Sequence, residues 1–291
     1  MTVTAKPRLI PTEDRNTSGL APFLMLAFAI TWVLVGPVAA SHQGWISANV
    51  GEAWHWLGAL GPLGAAWWVG HTTGGLAELR RGIARWRVSP WFYLAALSPA
   101  LLLVPAALWV RVADGGWPDL GTLGSSARLG SGGWVMALLV PAVAYGIGEE
   151  VGWRGFALPR LQGRYRPLTA ALILGVIWVG WHIPFYLYRD GMVDAPVGEQ
   201  FAQGIVIIIG GLFLAWLYNS TGGSILLCAI WHFTHSIVHV AIPEVSPTWD
   251  TYTGVFGTVL ALTVTAIWWR RMSVSDTHVH GNDAQNLRRT T

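Results

Sequence analysis

Residues 134–158 read WVMALLVPAVAYGIGEEVGWRGFAL. The run is long enough for a spanning helix, which needs about 20 apolar residues. Yet it holds Glu149, Glu150 and Arg154 within six positions. A charged side chain near the bilayer centre costs about 2.5–3.5 kcal/mol on insertion scales, so such groups persist where they face a partner or a wet cavity. Glu150 and Arg154 are spaced i,i+4 and can pair on one helix face. Glu149 is turned about 100° from Glu150 and is free to point into a bundle. The plainer alternative is a helix end whose carboxylates snorkel to the interface. Apolar residues continue through Phe156, Ala157 and Leu158, which argues against that ending.

The rest of the chain agrees with a membrane protein. Of 291 residues, 53% are apolar and only 11% charged, against roughly 25% charged in a soluble domain. The 19 Trp and 35 Gly suit interfacial belts and close helix packing. The expected fold is all-α, a polytopic membrane bundle of about eight helices. The single cysteine, Cys228, excludes an internal disulfide and a Cys-based metal cluster. It reads as an ordinary buried thiol. No dense Lys/Arg stripe for nucleic acid is present.

Apolar stretches fall at roughly 20–40, 53–72, 90–111, 134–158, 168–188, 203–219, 222–241 and 252–269. With eight spans the connections alternate sides. Fourteen of the 18 basic residues then share one side: Lys6, Arg8 and Arg15, the four Arg of 80–87, Arg160, Arg164 and Arg166, and the four Arg of 270–289. Arg111, Arg128 and Arg189 fall on the other. The positive-inside rule therefore places both termini in the cytoplasm. Val38-Ala39-Ala40 resembles a signal cleavage site, but its apolar run is long for a signal peptide. The expected layout is a cytoplasmic segment 1–19, a transmembrane domain 20–272 and a polar, disordered tail 273–291. The bias toward Ala, Gly, Arg and Trp fits a GC-rich bacterial genome, hence a bacterial cytoplasmic membrane.

Three spans carry polar groups at similar depth. At about 1.5 Å per residue, Glu149 lies roughly 15 Å from the cytoplasmic edge, His182 (in WVGWHIPF, 178–185) roughly 21 Å, and His232 (in CAIWHFTHSIVH, 228–239) roughly 15 Å. A carboxylate can take a proton from water, and imidazoles can bind a metal or stabilise an oxyanion. His232, Ser236 and His239 share one helix face, with His235 beside them. Ser236 can donate to an oxyanion or bond its own helix carbonyl. His42, His55 and His71 lie at span ends, where solvated histidine is the ordinary expectation. Trp178, Trp181 and Trp231 flank the key histidines and read as packing residues. Pro184 is expected to bend its span just past His182.

The three segments together resemble the CPBP intramembrane protease family, also called Abi, which includes the type II CaaX prenyl endopeptidases. Its EExxxR motif is matched by Glu149-Glu150-Val-Gly-Trp-Arg154. Its FxxxH is matched by Trp178-Val-Gly-Trp-His182, with Trp for Phe. Its HxxxN is matched by His232-Phe-Thr-His-Ser236, with Ser for Asn. The resemblance covers roughly residues 134–241. It implies a membrane-embedded endopeptidase open to the cytoplasm and acting on a membrane-associated peptide or protein. Glu149 would activate water, with Glu150 and Arg154 as a supporting pair and His182 and His232 as metal ligands or polarising groups. The family is usually labelled zinc-dependent, and a metal-free glutamate mechanism is also argued. For zinc, Glu149, His182 and His232 would be the ligands. A Ser hydroxyl has shorter reach than an Asn amide, so Ser236 raises the alternative of a catalytically silent scaffold or immunity protein. A proton-coupled transporter is the other alternative, although no matching halves are visible.

Overall fold

The computed structural model describes residues 18–51, 53–118, 133–189, 191–240 and 254–267. The tail 273–291, the N-terminal segment through residue 17 and the side chain of His239 lie outside the described residues. Every regular element described is a helix, so the protein is an all-α membrane bundle.

Among the described residues, each of the eight apolar stretches contains a helix. Helix α1 (Leu20–His42) is unbroken despite Pro37. The second stretch is split into α2 (Ala53–Ala59) and α3 (Gly61–Thr73), with Pro62 at the break, where a proline lacks the N–H that would continue the ladder. After the short amphipathic α4 (Leu76–Ile83), the third stretch is α5 (Pro90–Ala96), α6 (Ser98–Leu101) and α7 (Leu103–Ala113). It bends by 68° after Ala96, next to Pro99. Then come α8 (Trp134–Gln162), α9 (Pro167–Trp181), α10 (Val197–Ser220), α11 (Ile225–Val240) and α12 (Gly254–Ile267). Among the described residues, four helical segments are long and apolar enough to cross a membrane, and the bent third stretch makes a fifth if taken as one span. Helices α11 and α12 are apolar but shorter.

Helix α8 carries the charged stretch and is not a regular α-helix. Pro141–Ile147 and Val151–Ala157 are π-helical, and the short α-turn Gly148–Glu150 lies between them. Such wide turns, with i→i+5 bonding, recur at functional sites. Pro141 supplies a cause for the first, because it cannot donate to the preceding turn.

Glycines let the neighbours close on this helix, as small residues do at membrane helix interfaces. Gly148 and Gly152 meet the α2–α3 break. A Cβ on Gly152 would lie 2.5 Å from Pro62 Cβ and 2.7 Å from the Pro62 carbonyl oxygen. On the opposite side Gly155 meets Ile225 and Gly146 meets the Ala229 carbonyl, both on α11. Because the Pro62 obstacle includes backbone, Gly152→Ala is expected to destabilise the fold by about 1–3 kcal/mol, the cost of overpacking. Thermal unfolding in detergent measures this, and an unchanged midpoint would refute the packing argument.

An aromatic group fills the centre. Phe23 of α1 meets Trp153 edge-on at 5.7 Å and stacks on Phe156 at 4.9 Å. Trp153 also packs edge-on to Trp181 of α9 at 5.8 Å. Helices α10 and α11 form the expected antiparallel pair. Their turn uses left-handed Gly222 and Gly223 (φ 69° and 99°), a backbone region natural to glycine. The Ser224 hydroxyl then accepts from the Leu227 N–H at 3.2 Å, an N-terminal cap.

Arg160 departs from expectation. It was counted as a loop charge, but α8 continues through Gln162 and Arg160 is buried. Its guanidinium donates to the carbonyls of Ser18 and Phe156, each at 3.0 Å, and lies over the Phe156 ring. Setting it aside leaves the charge asymmetry between the two sides intact.

Candidate active site

The expected site residues come from three helices. Glu149, Glu150 and Arg154 of α8 and His232 and Ser236 of α11 are all buried. His182 is half-buried at the end of α9. There the α-helix gives way to a 3-10 turn over Ile183–Leu187, as expected from Pro184.

The carboxylates divide their partners differently from the reading of an ideal helix. Glu150 Oε1 accepts from Arg154 Nη1 at 2.9 Å, which is the expected i,i+4 pair. The same oxygen also faces His232 Nδ1 at 2.7 Å. Glu149 Oε2 instead accepts from the indole N–H of Trp178 at 2.9 Å. Trp178, read from sequence as packing, is therefore part of the site. The Arg154 guanidinium lies 4.4 Å above its ring. His182 and His232 approach it edge-on, at 5.4 and 5.7 Å between ring centres.

These bonds orient the imidazoles. His182 Nδ1 lies 2.7 Å from the Trp178 carbonyl. A carbonyl only accepts, so Nδ1 carries the proton and Nε2 is the other ring nitrogen available for chemistry. His232 likewise spends Nδ1 on a carboxylate that also binds Arg154, and Nε2 faces elsewhere. A carboxylate on one imidazole nitrogen fixes the ring's tautomer and orientation, the logic of a catalytic triad.

Tyr145 of α8 stacks on His232, with ring centres 6.3 Å apart. Tyr145 and Glu150 are five residues apart and meet the same imidazole. In an α-helix they would be rotated by about 140°. The wide turn at Pro141–Ile147 supplies the i→i+5 spacing that brings them to one side.

His55 corrects another expectation. It is buried rather than solvated. Its Nε2 lies 3.0 Å from the Tyr145 hydroxyl and 3.2 Å from Arg189 Nη1, and its Nδ1 lies 2.5 Å from the Tyr188 hydroxyl. Arg189 has no acceptor, so Nε2 accepts and Nδ1 holds the proton. The network braces Tyr145 from behind. The position of His55 at the edge of an apolar run hid it, since its partners come from α8 and the end of the fifth stretch. His235, beside that face in sequence, stacks on Trp231 at 5.1 Å. Cys228 is buried with its thiol 3.6 Å from the Leu214 carbonyl, as an inert core thiol would be.

A zinc ion would need its ligands gathered. Among the described residues, no three His, Cys, Asp or Glu side chains are disposed to hold one ion. Glu149 is bonded to Trp178, and the two histidines are tied to separate partners. Glu149, His182 and His232, the expected set, are thus not gathered around one point in this arrangement.

Fold and site thus define an integral membrane protein whose bundle encloses paired carboxylates, an arginine and two oriented imidazoles. Residues 131–238 match the family model for type II CAAX prenyl endopeptidase, Rce1-like. Over this stretch, little more than a third of the chain, the protein is similar to the CAAX protease (CPBP) family. It is similar to CAAX prenyl protease 2 of Methanococcus maripaludis, 29% identical over 103 residues, which are 34% of this chain and 37% of that protein. The chain therefore matches little more than a third of that relative's length. A weaker likeness, 24% identity over 220 residues, joins 65% of the chain to 86% of adenosylcobinamide-GDP ribazoletransferase of Thiobacillus denitrificans.

Proposed function

We propose that this protein is an intramembrane endopeptidase that hydrolyses a peptide bond of a membrane-associated peptide or protein. One observation carries the reading: separate helices gather a buried carboxylate, Glu149, and two oriented imidazoles around Trp178. Water attacks the scissile carbonyl carbon, and Glu149 takes its proton. His232 in its imidazolium form, paired through Nδ1 with Glu150, donates Nε2–H to the oxygen that gains charge, and His182 Nε2, which lacks a proton, accepts from the water. As the C–N bond breaks, Glu149 returns the proton to the amine nitrogen. Glu150 holds His232 in register, and Arg154 balances the charge of Glu150. Fixed polar groups aimed at developing charge are worth most in such a water-poor site.

The eight apolar helical stretches and the basic-residue asymmetry support eight spans with both termini cytoplasmic, in a bacterial cytoplasmic membrane. The site then opens toward the cytoplasm. Purified protein in liposomes is expected to cleave short hydrophobic or lipid-anchored peptides, and Glu149→Gln is expected to stop it. Equal turnover by both would overturn the role of Glu149, and no cleavage by wild type would overturn the peptidase reading. Ser236 in the Asn position favours a second reading, a peptide-binding scaffold without turnover. That reading predicts no cleavage by wild type and a cellular phenotype that Glu149→Gln leaves intact.

A further inference from the structure

Trp178 orients the two groups that the proposed hydrolysis depends on. Its indole N–H donates to Glu149 Oε2 at 2.9 Å. Among the described residues this is the side-chain hydrogen bond that Glu149 receives. Its carbonyl accepts from His182 Nδ1 at 2.7 Å. The ring is itself held under the Arg154 guanidinium, 4.4 Å away. Arg154 is bonded to Glu150, which holds His232.

A glutamate side chain has three rotatable bonds, and a carboxylate acting as base works only when one oxygen faces the reacting water. A donor fixed on Oε2 sets the carboxylate plane and leaves Oε1 for that water. A phenylalanine at this position would keep the apolar packing and lose the donor. We propose that Trp178 is a positioning residue of the active site: its indole N–H aims Glu149, and its ring links that carboxylate to the Glu150–Arg154–His232 group. The inference rests on the peptidase reading, in which Glu149 receives the proton of water.

The test replaces Trp178 with 3-benzothienylalanine, a two-ring isostere with sulfur in place of N–H, and separately with Phe. Full-length protein in liposomes is assayed on a hydrophobic membrane-anchored peptide beside Glu149→Gln. The isostere is expected to lower kcat about 10–100-fold, the loss of one hydrogen bond to a charged group. KM should stay within about threefold, since the bond acts on chemistry rather than on binding. The Phe variant should lose at least as much. Adding the isostere to Glu149→Gln should cause no further loss, because both act through one carboxylate. Wild-type kcat in the isostere, with Glu149→Gln inactive, overturns the role of Trp178 and leaves the peptidase reading standing. Turnover by Glu149→Gln within tenfold of wild type overturns the role of Glu149 and this inference with it, and no cleavage by wild type overturns the peptidase reading.

Discussion

Glu149→Gln should lower kcat for peptide cleavage by about a thousandfold, within the range that loss of a general base produces. The substitution is close to isosteric. The amide oxygen can still accept from the Trp178 indole, whose bond to Glu149 measures 2.9 Å. Folding and peptide binding should therefore persist while proton transfer from water fails. Single-turnover cleavage of a hydrophobic peptide in liposomes measures this. Turnover within tenfold of wild type would move the base to another group, with the proton-free Nε2 of His182 the next candidate. Retained stability is part of the prediction, because it separates a chemical role from a structural one.

Glu150→Ala should act on the fold instead. Glu150 Oε1 meets Arg154 at 2.9 Å and His232 at 2.7 Å, and Arg154 is only 1% exposed. Removing the carboxylate leaves a guanidinium uncompensated inside the bundle. Breaking a buried pair from one side costs about 3–5 kcal/mol. The thermal midpoint in detergent should fall sharply. Adding Arg154→Met should restore much of it, since replacing both partners with apolar groups is often neutral. If the single variant melts like wild type, the pair does not hold the helix.

The sequence reading and the structure agree where physics depends on length and apolarity. Hydropathy alone located all eight helical stretches, because a run of twenty apolar residues has few other uses. The approach of Glu149, His182 and His232 was legible from their depth, and the Glu150–Arg154 pair from its i,i+4 spacing. What each one touches was not. An ideal helix assigns Glu149 to the histidines and Glu150 to Arg154 alone, whereas Glu150 takes His232 and Glu149 takes Trp178. The difference lies in the wide turns of α8, and no residue pattern announces an i→i+5 bond. Trp178 looked like packing because nothing local tells an indole with a carboxylate partner from one without. His55 looked solvated because Tyr145, Tyr188 and Arg189 come from distant segments. Arg160 looked like a loop charge because Pro159 reads as a helix stop, yet α8 carries on to Gln162.

The unusual winding of α8 makes the catalytic centre sensitive to chain length as well as to chemistry. Tyr145 and Glu150 share His232 because the helix between them carries one residue more per turn than an ordinary coil. Adding a single residue there, with the turn no wider, would swing everything downstream through about 100°. Glu149 would then be turned from Trp178 and Glu150 from His232, although every functional side chain survived. Homologues should therefore vary in identity within Pro141–Ile147 far more readily than in number.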